Sequence, residues 1–148
     1  MNRRIALLLC AAALTGCGPK SGIGFRLPDG SAERGRAAFA ALRCNACHQI
    51  EGLDLPLQGT GAASVTLGGQ TARVKTYGEL VTSIINPSHK IAPRYPAEQV
   101  AVNGESLMSF AYLNDIMTVQ QLIDLVAFLQ ASYEVVPPPV EPYWYIYP

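Results

Sequence analysis

The stretch Cys44-Asn45-Ala46-Cys47-His48 reads C-x-x-C-H and constrains this chain more than any other. Two thiols three positions apart lie on one side of a helical turn, and the histidine four on from the first joins them. That spacing lets both sulfurs bond to the two vinyl groups of a haem, with His48 held beneath the iron as proximal ligand. Two other readings use the same residues. A closed zinc site wants four ligands, and the fourth available here is His89. A thioredoxin-like redox pair belongs near a βαβ pattern, which this sequence does not show. Covalent haem c, one per chain, is the expectation.

The other two cysteines are taken up by the N-terminus. Residues 1–4 carry Arg3 and Arg4, and Ile5 to Leu14 form an apolar run too short to span a bilayer. The run ends Leu14-Thr15-Gly16-Cys17, which resembles the bacterial lipobox, where cleavage before the cysteine leaves it to carry lipid. An ordinary secretory signal or an uncut anchor is the alternative. Residues 1–16 are thus expected to be a lipoprotein signal peptide that removes Cys10, with Cys17 as the lipidated residue. No cysteine is left for a disulfide, although export would permit one. The location implied is the periplasmic side of a bacterial membrane, inner or outer. Residues 17–30, rich in Gly, Pro, Ser and Lys, read as a flexible tether with a reach on the order of 20 Å.

At 148 residues, 49% of them hydrophobic and 15% charged, the chain suits one domain with a real core. Its formal net charge is zero, which argues against a nucleic-acid partner. Loss of Arg3 and Arg4 leaves nine basic against eleven acidic residues, so no strongly basic face is expected to steer acidic partners. No run of 18 apolar residues occurs to form a permanent span.

Two helices stand out. Ser31 caps the first, with Glu33 in its opening turn; Gly35, Phe39 and Leu42 share a face, and the helix is expected to run straight into Cys44. A glycine at mid-helix costs about 1 kcal/mol relative to alanine, which suggests close passage of another helix. Thr118 and Gln121 form a capping box for the second, with Met117 and Leu122 as a hydrophobic staple. Leu122, Leu125, Val126, Leu129 and Tyr133 follow at helical spacing with Phe128 alongside, and the helix must stop before Pro137-Pro138-Pro139.

The pattern G-x-x-x-F-x-x-x-x-C-x-x-C-H, then Met108-Ser109-Phe110 and the apolar helix 122–129, resembles the class I (mitochondrial-cytochrome-c-like) monohaem family. The resemblance covers about residues 31–134 and is weak between roughly 50 and 100. It implies an all-α cytochrome c fold, first and last helices crossing over a covalently bound haem, with short hairpins and loops wrapping it. It also implies that Gly35 and Phe39 meet Leu125 and Phe128.

A thioether suits the iron of an electron-transfer haem. After cleavage only Met108 and Met117 remain, and Met117 is used as a staple. Met108, in a non-helical stretch before the last helix, matches the family's sixth ligand, with His89 and Met117 as alternatives. Ser109 departs from the proline many members have there, which would leave the loop less rigid.

Between the ligands, residues 65–71 look like a small hairpin about Gly68-Gly69. Thr76 and Glu79 form a capping box for a short helix ending at Asn86-Pro87. Residues 91–96 form an extended turn, and Asn103-Gly104 a turn in a second hairpin. Arg73, Lys75, Lys90 and Arg94 are candidate partners for haem propionates, or plain solvated charge. The tail 135–148 is rich in proline and aromatics. The reading is a membrane-anchored electron carrier between protein redox partners, with no catalytic residues assigned. The alternative is a haem enzyme or sensor with an open sixth position.

Overall fold

Ser31 turns an extended strand of chain into the first helix. Its side chain accepts from the Arg34 N–H at 3.3 Å, and the alanine-rich segment that follows forms α1, Ala32–Ala41. The structure is a computed structural model that describes residues 27–56, 64–108 and 111–137, with side chains of 111 and 112 omitted. The signal segment 1–16, Cys17, most of the tether, Ser109 and the tail beyond residue 137 lie outside the described residues.

Among the described residues four more α-helices follow: α2 (Tyr77–Ile85), α3 (Ala97–Val100), α4 (Ala111–Ile116) and α5 (Val119–Ala131). Both expected capping boxes form. Thr76 and Glu79 exchange bonds at 3.3 and 2.7 Å at the start of α2, and Thr118 and Gln121 do so at 3.1 and 2.9 Å at the start of α5. The two short helices α3 and α4 were not foreseen, since four to six residues carry too little periodicity to read.

The core forms where α1 crosses α5. A Cβ on Gly35 would collide with the carbonyl oxygen of Asp124 and lie 2.6 Å from Cβ of Phe128, so only glycine permits this approach. Beside it Phe39 meets Phe128 edge-on, ring centroids 5.6 Å apart. Leu122, Leu125, Val126 and Leu129 complete the face, joined by Leu80, Val81 and Ile84 of α2. Met117 packs against this cluster, which includes its staple partner Leu122.

Among the described residues, six short strands make three two-stranded sheets. β1 (His48–Ile50) pairs parallel with β2 (Val65–Leu67), and β3 (Gly69–Thr71) pairs parallel with β6 (Tyr133–Val135). β4 (Ala101–Val102) and β5 (Glu105–Ser106) are the expected hairpin about Asn103-Gly104, whose positive φ values of 52° and 80° suit a tight two-residue turn.

Three local expectations need correction. Residues 65–71 are not a hairpin: β2 and β3 are separated by Gly68 alone, and each pairs elsewhere. Gly68, at φ +85°, turns the chain from β1 toward the end of α5, where the Gly69 N–H donates to the Ser132 carbonyl at 2.9 Å. The first helix does not reach Cys44. It closes at Leu42, Arg43 takes the left-handed conformation (φ 58°), and the chain restarts as a 3-10 turn over Cys44–Ala46. The last helix stops before Pro137 as expected, but at Ala131, so Tyr133 does not continue its apolar face. Tyr133 therefore begins β6, because pairing with β3 takes up backbone groups that a longer helix would keep internal.

Candidate functional site

Cys44 opens the 3-10 turn and Cys47 stands at its C-cap, three residues apart, the spacing at which side chains of a 3-10 helix eclipse. The Cys47 N–H donates to the Cys44 carbonyl at 3.2 Å. Asn45, 2% exposed, points inward and donates from Nδ2 to the Pro56 carbonyl at 3.2 Å. That bond ties the turn to the loop after β1. Cys44 and Cys47 are half-buried, free thiols. Burial pushes the Cys44 thiol up to about 11, opposite to the depressed value a reactive redox pair needs.

His48 leaves the turn and begins β1, so it is not part of a continuous helical face with the thiols. Its Nδ1 lies 3.3 Å from the Val65 carbonyl oxygen. A carbonyl only accepts, so Nδ1 carries the proton and Nε2 presents its lone pair. Burial lowers the pKa of this ring, which favours the neutral imidazole a metal binds. Among the described residues no three His, Cys, Asp or Glu side chains converge to hold a single ion. The zinc reading needs such convergence, whereas haem takes sulfurs at its rim and an imidazole at its centre. The donor set fits haem.

Met108 is half-buried in the turn after β5, with its N–H on the Ser106 hydroxyl at 3.2 Å. The hairpin behind it is fixed by the Ser106 N–H on the Ser88 hydroxyl at 3.0 Å and the Leu107 N–H on the Val100 carbonyl at 2.9 Å. His89 is exposed, its Nδ1 2.8 Å from the Asn86 carbonyl. Arg73 directs both guanidinium arms to Glu79, at 2.9 and 3.0 Å, rather than standing free for a propionate; Lys75, Lys90 and Arg94 are exposed.

Sequence reasoning missed Asp124, a carboxylate 3% exposed on the buried face of α5. It accepts from the Ser31 N–H at 2.7 Å, from Arg34 Nε and Nη2 at 2.8 and 3.0 Å, and from Gln120 Nε2 at 3.1 Å. The Arg34 guanidinium holds its carboxyl below the ordinary value. An aspartate amid an apolar helix face, with an arginine three past the cap of the opposing helix, was the available signal.

A small helical domain whose end helices cross at a glycine, with C-x-x-C-H on the turn and strand that follow the first of them, defines a haem-attaching electron-transfer domain. The family model described as Cytochrome c matches residues 32–132, and the chain belongs to that family. It is a class I monohaem cytochrome c and carries covalently bound haem c, to which the Cys44–Cys47 spacing fits as a single attachment. No curated protein and no solved structure gives a match.

Proposed function

We propose that this cytochrome c is held by lipid on Cys17 at the periplasmic face of a bacterial membrane. There it passes single electrons between protein redox partners through a haem with His48 and Met108 as axial ligands. The observation that carries the ligand reading is the His48 Nδ1 contact with the Val65 carbonyl, which leaves Nε2 as the donor atom. Cys44 and Cys47 would supply the thioethers. Met108 is preferred to Met117 because Met117 is packed against the core beside its staple partner Leu122. Haem supplies the one-electron couple; the chain positions the ligands and limits water around them. The partners are proteins that dock weakly, as the near-balanced charge offers little long-range steering. The alternative of a substrate-binding haem would need a buried distal acid or base, and His89, the candidate the sequence offers, is exposed on the turn after α2.

Spectra and potentials of three holoprotein variants test the ligand set. Met108→Ala should keep haem attached, lose the sulfur-to-iron charge-transfer band and lower the potential. Met117→Ala should cost stability and spare the spectrum; His89→Ala should do neither. Loss of the band in Met117→Ala but not Met108→Ala would overturn the assignment. Cys17→Ser should release the protein from the membrane fraction, and retention there would remove the lipid anchor from the proposal.

A further inference from the structure

We infer that Tyr95 is a positioning residue for the proximal imidazole, acting through the single peptide unit shared by Val65 and Thr66. The inference rests on His48 being that ligand. The Val65 carbonyl oxygen takes the His48 Nδ1 proton at 3.3 Å, and the Thr66 N–H donates to the Tyr95 hydroxyl oxygen at 3.0 Å. These are the two polar ends of one amide. The described peptide bonds are all trans, so the C=O and N–H of this plane point in opposite directions. Imidazole, amide and phenol therefore form one hydrogen-bonded row, with His48 on one side of β2 and Tyr95 on the other.

Such a row has a chemical consequence. An amide that donates its proton shifts charge onto its own oxygen, because both atoms share one resonance system, and linked hydrogen bonds polarise one another. Tyr95 thereby makes the Val65 carbonyl a better acceptor. A better acceptor makes the imidazole a more basic ligand, which favours ferric iron and lowers the potential. The row is also mechanical. β2 has only three residues, and its inner edge is occupied by β1. Tyr95 comes from a loop 29 residues further on, bounded by Pro93 and Pro96 and held by the Tyr95 N–H on the Ala92 carbonyl at 3.4 Å. It pins the outer edge of β2 at the residue next to the carbonyl that orients His48.

The test is Tyr95→Phe in the holoprotein, which deletes one oxygen and keeps the ring. Exchange of the Thr66 amide proton should quicken about threefold to tenfold, as expected for the loss of one hydrogen bond. The His48 Nδ1 proton should exchange faster as well, and the potential should rise, with haem content and the six-coordinate spectrum retained. If Thr66 responds while the His48 proton and the potential stay put, Tyr95 only braces the strand and the inference is overturned. An unchanged Thr66 amide overturns it too. If His48 in the unmodified protein lacks the ring shifts of an iron ligand, it is the ligand assignment that fails. Should the variant not fold, 3-fluorotyrosine labelling weakens the phenol oxygen as acceptor without removing it. The Thr66 and His48 signals must then move together, and independent movement overturns the inference.

Discussion

The crossing of α1 and α5 and the segments that carry the proposed ligands are built by different means. At the crossing, contacts are between protein atoms at van der Waals or hydrogen-bond distance: Gly35 under the Asp124 carbonyl, Phe39 on Phe128, and four donors on one carboxylate. The ligand side consists of a 3-10 turn, strands of two or three residues and half-buried side chains, held by single hydrogen bonds. The crossing tolerates little change in volume. On the ligand side, the role proposed for Tyr95 would have one atom alter the haem before it alters stability.

The largest effect that would break this contrast is at Gly35. Gly35→Leu drives a side chain into backbone atoms of α5, which cannot swing aside as a flexible side chain could. Overpacking costs about 1–3 kcal/mol in cores that can adjust, and this site should reach at least the upper end. For a domain of roughly 100 residues that lowers the thermal midpoint on the order of 10 °C or more. A midpoint within a degree of wild type would show that the helices do not need contact here.

Asp124 comes next. Its carboxyl is held below its ordinary value of 3.8, first by the Arg34 hydrogen bond and then by the Ser31 N–H. A depressed folded-state pKa contributes stability that is present above the unfolded value and is lost as pH falls through the folded one. Asp124→Asn should therefore be less stable than wild type at pH 7. The gap should close as pH drops below about 3.8, as chemical denaturation at a series of pH values would register. A constant gap would mean that the amide fails on shape and not on charge.

The contrast also explains what the sequence could disclose. The crossing was legible because its signals are local and repeat: a cap at Ser31, a box at Thr118, and apolar residues at helical spacing through Leu129. The haem motif was legible because C-x-x-C-H is contiguous. The failures fall where a partner distant in sequence decides. Nothing near Gly68 announces that β2 belongs to β1 and β3 to β6, and nothing near Tyr133 announces that a strand replaces the helix there. Asp124 was hidden because Ser31 and Arg34, which supply three of its four donors, sit about 90 residues away. Tyr95 was hidden for the same reason, its bond to Thr66 depending on tertiary placement alone.

A smaller effect compares the two caps. Thr118→Ala should cost about 1 kcal/mol, typical for loss of a capping side chain. Thr76→Ala, at the start of α2, should cost a similar amount and leave the iron spectrum unchanged. A spectral change in Thr76→Ala alone would place α2 with the ligand side and not with the core.

The smallest effect separates the two capping boxes chemically. In α5 the third helical position is Gln121, a neutral amide, and in α2 it is Glu79. The Arg73 guanidinium, followed by the Thr76 N–H, pulls the Glu79 carboxyl down to about 2 from 4.5. This stabilisation is complete above about 4.5 and lost as pH falls toward about 2. Both side chains are well exposed, 67% for Arg73 and 43% for Glu79, so water screens most of the attraction. Glu79→Gln keeps an oxygen for the Thr76 N–H, as Gln121 does for Thr118, and removes only the charge that Arg73 holds. The variant should be slightly less stable at neutral pH and low salt. It should equal wild type at about 1 M salt, where the screening length falls to roughly 3 Å. Its stability profile between pH 4.5 and 2 should also be flatter than that of the unmodified protein. If the difference survives high salt, the Glu79 box is doing something the glutamine box of α5 does not, and the two helix starts are not equivalent.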